Sequence, residues 1–373
     1  MELEEISILF TGDLVLDEPD AAYWLDGLAP ALRDADLSLG HLEVPHTGCR
    51  HEAIGDVPAP GAPPENLAAI AHAGIGMVSL AGNHIADCGA EGIADTIAGL
   101  KSSGILYAGA GAHLAEARKP AIAEVKGCRI GMLSYNCVGP ELSWAGESSA
   151  GCAFLPMETA DGSAVTPQAD LTSVSPAAIE ILEKDIRSAS QDADVVIVAL
   201  HKGIVHTPVT LAPYERPIAH AAVDAGAHIV ISHHAHITRG VEFYRGRPIY
   251  HGLGNGCVVT RALSPEQDHP DRAAWARKRR EMFGFEPDPA YHLAPFHPEA
   301  VNAFLGRIRI ARDGSVEAGI VPVFIEPPGR PVLARESKSR EICDYLEAIT
   351  SGAGLPEISV LDDGRIVPRE LVG

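Results

Sequence analysis

The chain has 373 residues, of which 46% are hydrophobic and 5% aromatic, which suits one large α/β domain with a sizeable core. Its 29 basic and 50 acidic residues give a formal charge of −21, which opposes contact with nucleic-acid phosphates or anionic lipid. The apolar runs have strand length and fall short of the roughly 18 residues expected of a membrane span.

The first five residues carry acid where a secretory signal would carry Lys or Arg. Seven scattered cysteines without a CxxC pair indicate reduced thiols rather than a disulfide framework. We therefore expect a cytoplasmic protein that binds neither nucleic acid nor membrane. Its substrate is expected to be a peptide or a small molecule.

Short apolar runs alternate with Ala-rich stretches of helical period, which is the pattern of a layered α/β protein. In chain order, the predicted strands are 6–10, 37–39, 77–80, 129–134, 195–200, 229–231, 248–250, 307–311 and 318–324. The predicted helices are 21–34, 64–73, 90–103, 176–190 and 213–225.

Two segments interrupt this alternation. Residues 140–175 are rich in Gly, Ser, Thr and Pro, and residues 263–300 are first charged and then aromatic and proline-rich. Loops of this length inside a compact domain are usually lids or binding loops. We predict a single domain over 1–326 with these two lid-like loops, followed by a peripheral C-terminal extension over 327–373.

Polar residues of metal-binding type follow the predicted strands. Strand ends are where open α/β sheets place their ligand sites, so we expect these side chains to converge. Carboxylate, amide and imidazole groups together suit one or two divalent metal ions, such as Mn, Zn, Fe, Mg or Ca. The candidate residues are Asp13, Glu43, Asn83, His84, His201, His234 and His236.

The most specific piece of this pattern is the Ser-His-His-Ala-His run at 232–236, directly after a predicted buried strand. Histidines two residues apart in an extended strand point to opposite faces, so both reach one centre only from a turn. We therefore predict that the strand ends at Ile231 and that His234 and His236 lie in a turn.

The motifs at the strand ends are, in chain order, Gly12-Asp13, Leu42-Glu43, Gly82-Asn83-His84 with Asp87 and Gly89, Gly109-Ala110-Gly111, His201 with Gly203, His233-His234-Ala235-His236, and Gly252-Leu253-Gly254-Asn255. Taken together, these motifs resemble the CapA-like family of capsule and poly-γ-glutamate biosynthesis, a branch of the calcineurin-like metallophosphoesterases. The resemblance covers about residues 6–260 and implies a calcineurin-like sandwich of two β-sheets flanked by helices.

The resemblance also implies roles for these residues. One metal ion would be faced by Asp13, Glu43 and His236. A second would be faced by Asn83, His201 and His234, with Glu43 able to bridge the two. His84 would stand near the substrate as the acid. The predicted catalytic residues are Asp13, His84, Asp87, His201, His234 and His297.

The chain departs from the family pattern in several places. Two-metal phosphoesterases usually begin with Asp-x-His, but Val15 occupies the position of that imidazole, which predicts a weakened or single-metal centre. Added imidazoles at His41 and His251 favour proton transfer, because His titrates near neutral pH. The alternative is that both are ordinary hydrogen-bonding substitutions. Lys202 replaces an aromatic residue and is expected to face solvent or to form an ion pair.

His297 belongs to the second lid-like segment. If that segment folds over the centre, we expect His297 to pair with Asp13 or another carboxylate, which would orient its ring for proton transfer. The alternative is that this segment is a packed connection.

Three functions compete. We slightly favour a metal-dependent peptide epimerase, which inverts a Cα centre of a ribosomal peptide by His and carboxylate proton transfer; lasso-peptide epimerases look like members of the same branch. The surplus of histidines and the Val15 substitution favour this reaction. The second candidate is a metal-dependent hydrolase of a phosphoester or amide bond, or a component of poly-γ-glutamate synthesis. The third is a non-catalytic scaffold.

Overall fold

The computed structural model describes residues 5–53, 57, 59–311 and 314–371. The acidic Met1–Glu4 stretch and the last two residues of the 327–373 segment lie outside these ranges. Every predicted strand and helix overlaps an observed one. No helix in the described ranges is both long enough and apolar enough to cross a bilayer.

The strands and helices follow one another in the expected α/β order. The strands are β1 (Ile6–Leu16), β2 (Leu37–Leu42), β3 (Met77–Ser79), β4 (Leu106–Ala108), β5 (Ala110–Gly111), β6 (Ala121–Val125), β7 (Cys128–Asn136), β8 (Gly151–Cys152), β9 (Met157–Thr159), β10 (Leu171–Val174), β11 (Val195–Lys202), β12 (Ile229–His234), β13 (Val241–Tyr244), β14 (Arg247–Tyr250), β15 (Asn255–Val259), β16 (Asn302–Ile310), β17 (Val316–Glu326), β18 (Arg330–Leu333), β19 (Ile358–Val360) and β20 (Ile366–Pro368). The helices are α1 (Ala21–Leu25), α2 (Ala29–Asp34), α3 (Asn66–His72), α4 (Gly89–Ser102), α5 (Leu114–Ala117), α6 (Pro176–Asp192), α7 (Glu215–Asp224), α8 (Pro270–Phe283) and α9 (Glu336–Gly352).

Two large sheets form the body of the described chain. The larger has the order β18-β17-β16-β1-β2-β3-β4, with β15 also paired to β1, and the smaller has the order β13-β14-β12-β11-β7-β6. β1, β2, β3 and β4 run parallel, as do β7, β11, β12 and β14, so strands that carry candidate residues end on the same side of each sheet. The predicted sandwich of two sheets is confirmed.

Side chains alternate between the two faces of each sheet, and this alternation explains how the sheets and helices pack in layers. Ile8 and Phe10 of β1 face the core between the sheets, whereas Leu9 faces the helices outside. In β11, Ile197 joins the same central core and Val198 packs towards α6 and α7. Strands buried on both faces need near-continuous apolar sequence, which is why the 195–200 run contains no polar residue.

The predicted helix 21–34 is two helices. It breaks between α1 and α2, where a Cβ at Gly27 would collide with the carbonyl oxygen of Pro331. Pro30 stands in the first turn of α2, where its missing N–H costs no helical hydrogen bond. The close approach of β18 therefore sets the break, and nothing local in 21–34 except Gly27 and Pro30 signals it.

The two segments expected as long loops hold regular structure. Residues 140–175 contain the β9–β10 hairpin, and residues 263–300 contain α8. Pro270 in the first turn and Gly284, with φ of 76°, just after the last turn are common helix boundary residues, so α8 had a sequence signal.

The segment after residue 326 packs into the body of the protein. β18 extends the larger sheet, and α9 packs against β16 and β17. Leu346 and Ile349 of α9 are buried in the core between the sheets. This part of the chain therefore contributes to the same core as β1 and β11.

A buried group of charged side chains lies at the end of β11. Lys202 Nζ is 2.9 Å from Glu215 Oε2 and 3.3 Å from His251 Nδ1, and Arg239 Nη1 is 3.3 Å from Glu215 Oε1. The other nitrogen of His251 is 3.0 Å from Glu242 Oε2. Lys202 thus forms the expected ion pair. His251 bonds within this charged cluster, contrary to its expected place beside the metal centre.

We predict that Leu346→Ala lowers the free energy of unfolding by about 2–5 kcal/mol, because the substitution opens a cavity in the central core. Leu142→Ala is the control, since Leu142 is 63% exposed, and should change stability by less than about 0.5 kcal/mol. Denaturant unfolding measures both. Equal, small effects would show that α9 is not part of the core.

We predict that Glu215→Gln destabilises the protein at pH 7 by about 3–5 kcal/mol, because it leaves Lys202 and Arg239 buried without their carboxylate. Burial alone would raise the pKa of Glu215, but the two cations lower it to about 2. Its stabilising effect is therefore fully present above the unfolded pKa of about 4.3 and is lost as pH falls through about 2.

Unfolding measured against pH tests this prediction. The difference between wild type and Glu215→Gln should shrink as pH falls below about 4. Glu286→Gln, at a carboxylate that is 72% exposed, should match wild type throughout. A Glu215→Gln protein as stable as wild type at pH 7 would contradict the assignment.

Candidate metal centre

Asp13 occupies the point where β1 meets both of its parallel neighbours. It is opposite His41 in β2 and Asn255 in β15, and both pairings shift register beside it. Its N–H donates to the carbonyl of Gly254 at 3.0 Å, and a Cβ at Gly12 would collide with the same carbonyl group. This irregularity in β1 accompanies an Asp13 carboxylate that is completely buried.

The first group of candidate ligands comprises Asp13, Glu43 and His236, each of which offers one ligand atom within 4.8 Å of the others. His236 Nε2 is 3.2 Å from Glu43 Oε1, and His236 Nδ1 is 3.6 Å from Asp13 Oδ2. The same Nδ1 is 2.9 Å from Asn255 Oδ1. The structure thus brings together the three residues that the resemblance assigned to one metal.

A second group comprises Asp13, His41 and His201, again with ligand atoms within 4.8 Å of one another. His201 Nε2 is 2.7 Å from Asn83 Oδ1, and the His201 and His234 ring centroids are 4.7 Å apart. The expected trio of Asn83, His201 and His234 is therefore assembled. His41 lies beside this trio. The carboxylate that both groups share is that of Asp13, whereas Glu43 was the residue expected to bridge the two metals.

The 232–236 run reaches the centre differently from the prediction. β12 continues three residues beyond Ile231 and pairs His233 with His201 and His234 with Lys202. The turn begins at His234, where φ is 89°, and includes His236, where φ is 52°. Left-handed backbone at non-glycine residues is uncommon and concentrates at functional sites, but residue type alone did not indicate it here.

The pKa shifts follow from burial and from neighbouring charge. Burial lowers the pKa of His41 to about 4 and that of His201 well below its usual value, so both rings are neutral at pH 7. Burial, followed by the Glu43 charge, raises the pKa of Asp13. Burial opposes both charged forms in the Glu43–His236 pair, but their mutual attraction lowers the pKa of Glu43 to about 2 and raises that of His236 to about 9.

Buried ring nitrogens test whether a metal ion fits this centre. Among the described residues, His41 Nε2 and His201 Nδ1 have no hydrogen-bond partner, and neither nitrogen of His233 has one. Buried polar atoms normally have partners, so these nitrogens are unusual. Neutral imidazoles beside two carboxylates form a donor set that divalent metals bind. The residues present therefore fit a divalent ion.

His84 and Asp87 form a dyad at the edge of this centre. His84 Nδ1 is 2.7 Å from Asp87 Oδ2, and both residues are largely buried. A carboxylate in this position fixes the orientation of the ring. The dyad joins the two predicted catalytic residues that follow β3.

His297 belongs to neither group of candidate ligands found among the described residues. Its Nδ1 accepts a hydrogen bond from the Glu299 N–H at 3.2 Å, which caps the short 3₁₀ helix Pro298–Val301. Within the described part of the chain, His297 forms no ion pair with Asp13 or with another carboxylate, and the imidazoles near Asp13 are those of His41, His201 and His236. The expected pairing is wrong, because the Pro298 turn uses the His297 ring as a local cap.

An apolar cleft, partly open to solvent, lies over the centre. Glu43, His84 and His236 contribute to its floor, and Val15 lines it in place of the imidazole expected from the family pattern. Both predicted lid segments contribute to the lining. The wall includes Val44, Pro167, Gln168, Val205, His206, Val258, Leu263, Trp275, Arg279, Phe283 and Phe296.

Sequence reasoning did not select two polar residues of this wall, His206 and Arg279. The His206 ring lies edge-on to Phe283, with centroids 4.7 Å apart, and Arg279 is a buried residue of α8. His206 follows β11 in a left-handed conformation without any motif. One sequence signal indicated that Arg279 is buried: it lies three residues from Ala276 and six from Ala273, and therefore on the same helix face as both.

Comparison with known proteins gives relatives in polymer synthesis. The chain is 32% identical over 195 residues to the "Probable polyglutamine synthesis accessory protein" of Mycobacterium tuberculosis, which covers 52% of this chain and 47% of the relative. It is 25% identical over 265 residues to the "Capsule biosynthesis protein CapA" of Bacillus anthracis, covering 68% and 60%. The chain thus spans about half the length of the mycobacterial relative.

Two solved structures match the chain loosely. One is a putative 5'-nucleotidase from Staphylococcus aureus, with a TM-score of 0.43, 11% identity and coverage of 92% of this chain and 58% of that one. The other is a calcineurin-like phosphoesterase from Bacillus subtilis, with a TM-score of 0.40, 12% identity and coverage of 94% and 99%. Both likenesses are loose.

The family described as "Bacterial capsule synthesis protein PGA_cap" matches residues 7–258, which include both groups of candidate ligands. The match extends over more than half of the 373 residues. The chain therefore belongs to the bacterial capsule synthesis protein family PGA_cap.

Proposed function

We propose that this protein is a metal-dependent acid/base enzyme that hydrolyses an amide or phosphoester bond. The observation that carries the proposal is Asp13, whose buried carboxylate belongs to two converging groups of ligands below an open cleft. The names of the relatives, polyglutamine synthesis and capsule biosynthesis, favour a peptide-like substrate from the chemistry of a bacterial polymer.

Each group of residues has a distinct part in this reaction. Asp13, Glu43, His41, His201 and His236 would hold the metal, with Asn83 and His234 beside them. A divalent ion bound there would supply Lewis acidity towards a substrate oxygen. The low pKa values of His41 and His201 keep these rings in the neutral form that binds metals.

Proton transfer falls to the His84–Asp87 dyad. His84 lines the cleft, and its Nδ1 is held by the Asp87 carboxylate at 2.7 Å, so the ring is oriented to protonate a leaving group. The largely apolar walls of the cleft reduce the contact of a bound substrate with water.

A second candidate reaction is inversion of a Cα centre, as in a peptide epimerase. It is favoured by one observation: two imidazoles, each next to a carboxylate, line the same cleft. These are His84 with Asp87 and His236 with Glu43 and Asp13. Inversion requires one base to remove the proton and a second acid to return it from the opposite face.

Metal binding should depend on Asp13. We expect the purified protein to contain a divalent metal by elemental analysis, and Asp13→Asn to lower the metal affinity by at least about 10–100-fold. The affinity should rise with pH up to about 9, because the raised pKa of His236 means that this ring must lose a proton to bind metal.

Asp26→Asn is the control for metal binding, since Asp26 is exposed in the turn after α1. This variant should retain the wild-type metal content. Wild-type protein without metal, or an Asp13→Asn variant that binds metal normally, would contradict the proposed function.

The dyad should control turnover without controlling metal content. With an aryl phosphodiester as the probe and Mn²⁺ added, we expect His84→Gln to lower kcat by about 10²–10⁴-fold. His297→Gln, at the capping residue outside both groups of candidate ligands, should remain within about twofold of wild type.

Peptide probes in heavy water distinguish the two reactions. Shorter peptides or released amine indicate hydrolysis, whereas deuterium at Cα in an uncleaved peptide indicates inversion. Turnover that is the same in His84→Gln as in wild type would contradict the role of the dyad in either reaction.

A further inference from the structure

The buried face of α8 contains a charged residue. Ala273, Ala276 and Arg279 are its buried positions, spaced three residues apart, so Arg279 occupies a place on the face where an apolar side chain is expected. Arg279 is only 3% exposed, although Arg is almost never fully buried unless it is paired.

The Arg279 guanidinium is surrounded by aromatic rings. Its Cζ lies 5.6 Å from the centroid of Trp275, 6.0 Å from that of Phe283 and 5.7 Å from that of Phe296. Ring faces attract a cation, but they do not satisfy the five N–H donors that project from the edge of a guanidinium. The aromatic contacts therefore orient the group and leave its hydrogen-bonding edge to another partner.

That partner is absent from the protein itself over the described ranges. Arg279 Nε and Nη1 have no hydrogen-bond partner there. Burial lowers the pKa of Arg279 to about 10, and no carboxylate among the described residues acts against it. A buried cation without a counter-ion is unfavourable, so the site is suited to an anion that arrives with a ligand.

Arg279 and the candidate metal centre share one cleft. The Phe296 ring lies between them, 4.9 Å from the His236 ring centroid and 5.7 Å from Arg279 Cζ. Among the cleft-lining residues that the structure describes, Arg279 is the one Lys or Arg. A polyanionic chain would need several cations, whereas this cleft offers one cation and largely apolar walls.

We propose that Arg279 binds a single oxyanion, a carboxylate or a phosphate, carried by a substrate whose adjoining group is apolar. The inference deepens the proposed function and rests on it for the role of the metal centre. The oxyanion fixes one end of the substrate on α8, the apolar group fills the cleft beside Phe283 and Phe296, and the reacting bond lies over Asp13.

Calorimetric titration of the full chain, with its metal, tests the site through four probes that share a small scaffold. N-acetylphenylalanine carries both groups, N-acetylphenylalaninamide lacks the charge, N-acetylglycine lacks the apolar group, and the phosphonate analogue of N-acetylphenylalanine has a phosphonate in place of the carboxylate. We expect N-acetylphenylalanine or its phosphonate analogue to bind at least about tenfold more tightly than the amide, as charge-assisted hydrogen bonds allow. The tighter of these two identifies the oxyanion, and N-acetylglycine should bind more weakly than N-acetylphenylalanine.

Arg279→Met should abolish the preference for the anion over the amide, because it keeps an unbranched, flexible side chain and removes the charged guanidinium. Arg280→Met is the matched control: Arg280 is the next residue of α8, its side chain is 76% exposed, and the variant should keep the preference. Arg279→Lys keeps the charge but lacks the forked donors of the guanidinium, so this variant should keep part of the preference for the anion. Removal of an unpaired buried charge should leave the midpoint of thermal unfolding unchanged or higher.

Two results would overturn the inference. One is equal binding of the amide and both anions by wild type, and the other is an unchanged preference in Arg279→Met, which would place the anion on the metal or elsewhere. Metal content measured on the same samples separates the two proposals. If protein without metal prefers the anion over the amide and this preference depends on Arg279, only the proposed function is contradicted. If protein that contains metal shows no such preference, only this inference is contradicted.

Discussion

The burial of Asp13 beside Glu43 is the constraint on which the arrangement of the site depends. Two carboxylates withdrawn from water repel each other, and the raised pKa of Asp13 expresses this cost. His236 offsets part of the charge at 3.2 Å from Glu43. A divalent cation among these carboxylates and the neutral rings of His41 and His201 would compensate the rest, and it would give the unpartnered ring nitrogens a ligand.

The two sheets place this concentration of polar groups at the ends of their strands, next to the apolar core. Asp13 and His41 come from adjacent strands of the larger sheet, whereas His201 and His234 come from adjacent strands of the smaller one. The centre thus lies where the ends of both sheets meet, next to a tightly packed apolar core. Rigid strands can hold ligands in a fixed geometry, while the cleft above is lined by α8 and by loop residues that differ in chemistry from the centre.

Much of the fold could be predicted from sequence because it follows from alternation and from strand ends. Residues next to each other in a strand point to opposite faces, and this rule places His201 in the centre and Lys202 in the buried charged cluster. His251 lies in the same cluster because its ring contacts Glu242, which is nine residues earlier in the chain. The left-handed turn at His234 has no signal in the local residue pattern, and the break at Gly27 combines the local Gly27 and Pro30 signal with the close approach of β18.

The central claim is that a divalent metal binds at Asp13, and anomalous diffraction from crystals grown with Mn²⁺ tests it most directly. We expect an anomalous peak about 2.0–2.6 Å from an Asp13 carboxylate oxygen, with ligands from Glu43 and His236 or from His41 and His201. Well-ordered crystals that show no peak at Asp13, or peaks only at exposed carboxylates, would contradict it.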